Sequence, residues 1–279
     1  MKAYNAFPVT FGRVARVLRE QAERGVEAVH FTGGEPTLHP QFVEILALAK
    51  KLGLRTSIGT IGTRLADPAW AERAMPFLDE ALFSVHGPDP ETHDLLAGRA
   101  GSFERVSRAI DNARRKTGFR PFVNTVLVRQ NAAYLADTIA LAASWDAALV
   151  VVSNVTPEGA GDDRYPKLTL RLDEIRPLVG PAIEAAGRDT IVRFFGVPAC
   201  VLGVHRVYAN DVHWNPRVTF EWAAHPGKVS LEGIYAWQPD RKRQHVPACE
   251  RCDWNRLCHG VFARYVQEYG DREISPVPQ

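Results

Sequence analysis

Apolar positions recur along the first two thirds of the chain with two alternating periods. At Val14, Val17, Leu18 and Ala22 they fall three and four residues apart, on one face of a helix that Thr10 can cap and Gly25 can close. Val26–Phe31 then reads as a strand that runs into Thr32-Gly33-Gly34-Glu35-Pro36. A helix over Pro40–Leu52 stops at Gly53, and Leu54–Ile61 is the next strand. The rhythm continues with a helix over Ala69–Phe77, a short buried strand over Ala81–Val85 and a helix over Phe103–Lys116. Strands over Phe122–Val128, Ala148–Val152 and Ile191–Phe195 alternate with helices over Tyr134–Ser144 and Leu172–Ala186. Nearly all-apolar strands between helices predict a parallel sheet covered by helices. Six such strands in a row predict an α/β open or partial barrel, with a doubly wound sheet as the second arrangement.

From Pro198 the rhythm stops. The remainder is rich in Pro, Trp, His and Arg, with short alternating pieces at Arg217–Trp222 and Val229–Tyr235. Residues 1–197 are therefore expected to form the barrel, and 198–279 a small Cys-rich domain that needs a staple. Four of the six tryptophans follow residue 200 and are expected to pack that domain. Arg241-Lys242-Arg243 reads as a solvated turn.

Composition narrows the function classes. Of 279 residues, 46% are hydrophobic and 24% charged, and the net charge of +2 gives no nucleic-acid footprint. No apolar run approaches the ~18 residues of a membrane span, and the opening residues lack the apolar core of a secretory signal. A cytoplasmic protein is expected.

The glycine pair after the first strand carries the first candidate chemistry. In a parallel α/β layout, strand C-termini gather where sites are built, and glycines there let backbone approach a ligand. Glu35 adds a carboxylate suited to an ammonium. A tight strand-to-helix turn started by Pro36 is the plainer reading of the same residues. The longer string Phe31–Pro40 resembles the GGEP motif of the radical S-adenosylmethionine (SAM) superfamily, on the second strand of its partial (β/α)6 barrel. Leu82–Gly87, then Glu91-Thr92-His93-Asp94 and Gly101-Ser102-Phe103, are similar to that family's fourth strand and following loop. The resemblance implies that Gly33, Gly34 and Glu35, with Pro36 in the same turn, cradle the amino group of SAM. It offers Ser84 and Asn124 for the ribose or carboxylate, although each is also an ordinary sheet-end polar residue. His39 and His86 fall at the expected barrel mouth, where lone histidines are usually solvated.

Cysteines supply the second candidate. Cys200, Cys249, Cys252 and Cys258 are the only four, and the last three fall within ten positions. Such clustering in a reducing compartment points to metal, and four thiolates suit either Zn²⁺ or an iron–sulfur cluster. The C-x2-C-x5-C run, followed by Gly260-Val261 and Tyr265–Gly270, resembles the auxiliary-cluster (SPASM/twitch-like) domain of many radical SAM maturases. The seven-cysteine form has a further cysteine where this chain has Phe262. The resemblance thus implies one auxiliary [4Fe-4S] cluster, with a zinc knuckle as the alternative. His259, next to Cys258, is either a donor beside it or a residue with no part in the site.

The resemblance also implies an activity. An electron from a cluster with an open iron cleaves SAM, and the resulting 5′-deoxyadenosyl radical abstracts hydrogen from a substrate. A peptide leads as substrate class, with a small molecule open, and the electron donor would be a ferredoxin or flavodoxin. The family's catalytic ligands come as C-x3-C-x2-C after a first strand that precedes the Thr10–Gly25 helix. No cysteine precedes that helix here. Strand and ligands are missing together, and an unpaired apolar edge at Val26–Phe31 is costly. A chain that starts late, lacking its first strand, is therefore expected over a degenerate member. The catalytic cluster is expected only in a longer chain, and no SAM cleavage from these 279 residues. The competing class is a non-catalytic peptide-binding protein with a structural metal.

Overall fold

The computed structural model describes residues 9–213, 217–225, 228–236 and 242–277, with side chains throughout except at residue 160 and from 217 to 236. The residues before Val9, Trp214, Trp237 and Arg241 lie outside this set, as does the side chain of Trp222, so the packing expected of those tryptophans is not described.

Helix α1 (Phe11–Glu23) starts where Thr10 accepts from the Arg13 N–H, and Gly25 follows it at φ +82°. The chain then runs β1 (Ala28–Phe31), α2 (Phe42–Lys51), β2 (Arg55–Thr60), α3 (Pro68–Ala74), β3 (Glu80–Ser84), α4 (Pro90–Ala97), α5 (Ser102–Arg114), β4 (Phe122–Leu127) and α6 (Leu135–Ser144). It continues through β5 (Leu149–Asn154), the short helices α7 (Ala160–Asp163), α8 (Tyr165–Leu168), α9 (Leu172–Ile175) and α10 (Val179–Ala185), and β6 (Ile191–Phe195). All six expected strands form one six-stranded sheet in the order β1-β2-β3-β4-β5-β6. Its parallel registers include His30↔Ser57, Gly59↔Leu82 and Ser84↔Asn124. An order that never reverses is that of a barrel wall and not of a doubly wound sheet, which switches direction midway. β1 and β6 are the two ends of that order.

Alternation along the strands separates two faces. In β2, β3 and β4 the residues Thr56, Ile58, Thr60, Ala81, Phe83, Val123 and Thr125 are buried. Phe31 meets Phe42 of α2 edge-on at 5.4 Å, so this face is the one the helices cover. Ser57, Gly59, Leu82, Ser84 and Asn124 point to the other, half-buried face.

Two expectations change. The helix expected over Leu172–Ala186 is broken into α9, a tight turn over Arg176–Leu178 and α10. Pro177 and Pro181 lack the N–H that a continuous helix needs. Helix α4 was not expected, yet Asp89 caps it through the Thr92 N–H at 2.8 Å, with Pro90 in its first turn and Gly98 at φ +67° ending it. An Asp-Pro start is a readable signal of this kind.

By contact density the chain forms two compact units. One compact unit takes the chain to Thr125 with Tyr134–Val150 and Ala185–Ile191; the second takes Val126–Ala133, Val151–Glu184 and the chain from Val192. The second unit contains α11 (Ala199–Leu202) and a hairpin of β7 (Arg217–His225) and β8 (Lys228–Ala236). A two-residue antiparallel pair of β9 (Arg243–Gln244) and β10 (Val261–Phe262) precedes α12 (Ala263–Tyr269). Among the described residues no helix is long and apolar enough to cross a membrane.

Candidate functional site

The loop after β1 turns on two glycines, Gly33 at φ +83° and Gly34 at φ +57°, a region where other residues are strained. A Cβ at either would meet nothing within 4 Å, so conformation and not crowding calls for glycine here. The open space beside them leaves the backbone accessible, and among the described residues nothing accepts from their N–H groups. Glu35 then caps the tight turn Pro36–Leu38, with Pro36 in its first position.

The Glu35 carboxylate is heavily engaged. Oε1 accepts from the Thr37 N–H at 3.2 Å, from the Thr37 hydroxyl at 2.6 Å and from the Thr60 hydroxyl at 2.8 Å. Oε2 accepts from the Ile61 N–H at 2.8 Å and lies 3.0 Å from the same Thr60 hydroxyl. Glu35 therefore ties the glycine loop to the end of β2, where Gly62 N–H in turn donates to Thr60 Oγ1 at 2.9 Å. With both oxygens occupied, the carboxylate is a fastening as well as a charge.

Ser84 ends β3 and is the register partner of Asn124 in β4, and both side chains lie on the half-buried face. Since β1 to β4 are parallel, Gly33–Pro36, Thr60 and Ser84 share their C-terminal edge. His86 follows on the same face as Ser84 and its ring stacks on His93 at 5.8 Å, while the His86 backbone N–H donates to His93 Nδ1 at 3.1 Å. Burial, helped by the imidazole of His93, pushes His86 down to about 4. It is a neutral imidazole near neutral pH, tied into the fold and not simply solvated. His39 is tied as well: Nε2 donates to the Val9 carbonyl at 2.7 Å and Nδ1 accepts the Gln41 N–H at 3.1 Å. Asp94 accepts the Gly101 N–H at 2.6 Å and the Phe103 N–H at 2.8 Å, so the His93-Asp94 and Gly101–Phe103 strings form the start of α5.

A pH dependence follows from His86. Its folded value lies below the ordinary 6.5, so the unfolded chain takes up the proton first as pH falls. The stability it contributes is present above 6.5 and is lost as pH drops towards 4, by up to about 3 kcal/mol. Urea midpoints measured from pH 7 to pH 4.5 should fall less steeply in His86→Asn than in the parent; equal slopes would refute the assignment.

The second unit brings the four cysteines to one cavity. Cys200, Cys249, Cys252 and Cys258 line one small cavity with His245, Asn255, Gly260 and Ile274, and none of the four is in a disulfide. Backbone amides point at the sulfurs. Ala199 and Gly260 N–H each lie 3.4 Å from Cys258 Sγ, and Val277 N–H lies 3.3 Å from Cys252 Sγ. The loop is held by its own backbone, with Cys252 N–H on the Cys249 carbonyl at 3.1 Å and Cys258 N–H on the Trp254 carbonyl at 2.8 Å. Arg176 donates to the Cys200 carbonyl at 2.7 Å, and Asn255 Nδ2 to that of Cys249 at 2.6 Å. Burial pushes the Cys200 thiol up to about 11 and raises Cys258. Among the described residues no group of three His, Cys, Asp or Glu side chains is arranged around a single metal ion. Four cysteine side chains thus line one cavity, with N–H donors approaching two of the sulfurs, a donor set of the thiolate kind that zinc and iron–sulfur centres both use.

Two residues escaped the sequence reading. His245 Nε2 donates to the Cys258 carbonyl at 2.7 Å, while the backbone N–H of His259 donates to Asp211 at 3.0 Å. Arg243 is not on a solvated turn: its side chain is fully buried against Asp211, and neighbouring Lys242 donates to the Pro157 carbonyl at 2.9 Å.

An uncrossed parallel α/β sheet with a glycine-turned loop at its strand ends is the architecture of a partial-barrel protein. The Radical SAM superfamily model matches residues 2–142, half of the chain, and the chain belongs to that superfamily. Among curated relatives, the PqqA peptide cyclase of Xanthomonas axonopodis pv. citri is 34% identical over 145 residues, 52% of this chain and 39% of that protein. The PqqA peptide cyclase of Rhodopseudomonas palustris is 37% identical over 142 residues, 50% of this chain and 37% of the relative. The chain thus spans about two fifths of the length of these relatives. Streptococcus suis SuiB bound to S-adenosylmethionine is similar over 94% of this chain and 68% of its own, with a TM-score of 0.57 and 17% identity. The anSMEcpe structure with AdoMet and the Cp18Cys peptide matches 66% of this chain and 55% of its own, with a TM-score of 0.53 and 19% identity. At these identities the structural likeness speaks to the fold.

Proposed function

We propose that this chain is part of a peptide-modifying radical SAM enzyme, with SAM at the loop after β1 and an auxiliary iron–sulfur cluster at Cys200, Cys249, Cys252 and Cys258. The observation that carries the first half is the accessible Gly33-Gly34 backbone at the C-terminal edge of the parallel strands, fastened from behind by Glu35. Backbone carbonyls of that loop meet the ammonium of SAM, while Glu35 holds the loop in place and adds negative charge nearby. Ser84 and Asn124 offer a hydroxyl and an amide to its ribose or carboxylate. The relatives' names point to peptides: PqqA peptide cyclase is named for one, and SuiB and anSMEcpe structures contain a precursor peptide and the Cp18Cys peptide. We carry that substrate class to this chain, with a ferredoxin or flavodoxin as electron donor.

The auxiliary cluster supplies electron transfer when bound. The chain's part is to hold it through four thiolates, to aim N–H groups at two of the sulfurs and to shield it with Pro198, Val261 and Ile274. On this reading no cysteine of the 279 residues remains for a cluster with an iron open to SAM.

Anaerobic reconstitution of the full chain with iron and sulfide is the test. Equal iron and sulfide, with charge-transfer absorbance, is expected. One zinc and no sulfide would replace the cluster with a structural knuckle and favour the binding-protein alternative. Titration with SAM is expected to give weak saturable binding without 5′-deoxyadenosine. Release of 5′-deoxyadenosine from this chain would overturn the assignment of all four cysteines to one centre.

A further inference from the structure

Arg243 and Asp211 form a buried ion pair, fork on fork: Nη1 donates to Oδ1 at 2.6 Å and Nη2 to Oδ2 at 2.8 Å. Two further donors of the guanidinium converge on one acceptor. Nε and Nη2 reach the Gly260 carbonyl at 3.1 and 2.7 Å. Asp211 Oδ2 meanwhile accepts the His259 N–H at 3.0 Å. The pair therefore grips the backbone on the two residues that follow Cys258. Held in this way, Gly260 aims its N–H at Cys258 Sγ, 3.4 Å away. Gly260 sits at φ +79°, and a Cβ there would lie 2.0 Å from the Gln244 carbonyl oxygen, so the turn admits only glycine.

Stability alone is a poor reason for such a pair. Desolvating two charges costs about what their attraction returns, and apolar replacements of similar volume are often as stable. What an apolar pair could not do is hold a carbonyl and an amide of one turn at once. We propose that Asp211 and Arg243 are positioning residues of the four-cysteine centre, fixing the Cys258–Gly260 turn and setting the charge beside the Cys258 sulfur. The inference rests on the reading that these cysteines hold an iron–sulfur cluster. Hydrogen bonds to sulfur and nearby charge are what a protein uses to set a cluster's reduction potential.

The reconstituted 279-residue chain and three variants test it, each checked for folding by far-UV circular dichroism. Asp211→Asn keeps the shape but leaves the Arg243 charge unopposed, which favours the reduced cluster. Its midpoint potential is expected to rise by at least tenfold in the reduction equilibrium, about 59 mV for a one-electron couple. Arg243→Lys keeps a cation for Asp211 and loses the fork on Gly260. It is expected to change the electron paramagnetic resonance line shape of the reduced cluster and to release iron to a chelator about tenfold faster. Asp79→Asn breaks a carboxylate that holds Lys50 and the Thr56 N–H. This control should lower thermal stability and leave potential, line shape and release unchanged. If Asp211→Asn does not fold, line shape and release in Arg243→Lys decide. Parental values in the folded variants, or equal changes in the control, would reduce the pair to a packing device. A parent chain that loads no iron and sulfide would instead refute the cluster reading beneath the proposal.

Discussion

Cys258→Ala is expected to lower the iron and sulfide retained by the reconstituted chain about tenfold, with little change in far-UV circular dichroism of the unloaded protein. Among the four cysteines, Cys258 has the most elaborate setting. Two backbone N–H groups point at its sulfur, His245 holds its carbonyl and Asp211 holds the next amide. Removing its thiolate leaves these donors facing a methyl group. Loss of a ligand also lowers the thermal midpoint of the loaded protein towards that of the unloaded one, because binding free energy that favours the folded chain is surrendered. The Cys249 sulfur has no amide within hydrogen-bond distance among the described residues, so Cys249→Ala should retain more iron than Cys258→Ala. Equal and full retention in both variants would remove the cysteines as ligands. Metal analysis of the same samples separates an iron–sulfur centre from zinc.

How far the sequence reached depends on whether the signal was local. Strands β1 to β6 were readable because apolar runs are bounded by glycine and by helical periods, as at Gly25 and Gly53. Their pairing order was not encoded in any one strand; it follows from repetition of the strand–helix unit. The break of the Leu172–Ala186 helix was readable too, since Pro177 and Pro181 both lie inside it. Arg243 was not. Within Arg241-Lys242-Arg243 nothing distinguishes a buried guanidinium from a solvated one, and its partner Asp211 lies thirty-two residues earlier without periodic relation. The role of Glu35 was half readable. Its type and place suggested a charge for a ligand, while its fastening role needs Thr60 and Ile61, which sequence separates from it by a helix. Contacts between distant loops leave no periodic trace, so the parts of both candidate sites that hold their functional groups in place were the least legible.

That fastening makes Glu35→Ala the substitution with the largest expected effect in the first unit. The parent carboxylate accepts from the Thr37 and Ile61 N–H groups and from the Thr37 and Thr60 hydroxyls. Hydrogen bonds to a charged acceptor contribute about 1.5–3 kcal/mol each, but bonds to one carboxylate are not additive. Water will also serve the exposed Ile61 amide after truncation, so a loss of about 3 kcal/mol in unfolding free energy is expected. The effect on ligand should exceed the effect on stability. Without Glu35 the Gly33-Gly34 loop loses its tie to the end of β2, and a displacement of ~1 Å at a positioning element can cost about a hundredfold. Weak SAM binding by the parent is thus expected to become undetectable in Glu35→Ala at temperatures where the variant stays folded. Glu35→Gln separates the two roles. The amide retains one acceptor oxygen and sets its NH₂ against donors, so part of the tie survives while the charge is gone. If the charge were the whole contribution, Glu35→Gln and Glu35→Ala would weaken SAM equally. An intermediate affinity for Glu35→Gln, following its intermediate stability in urea, is the result expected of a fastening.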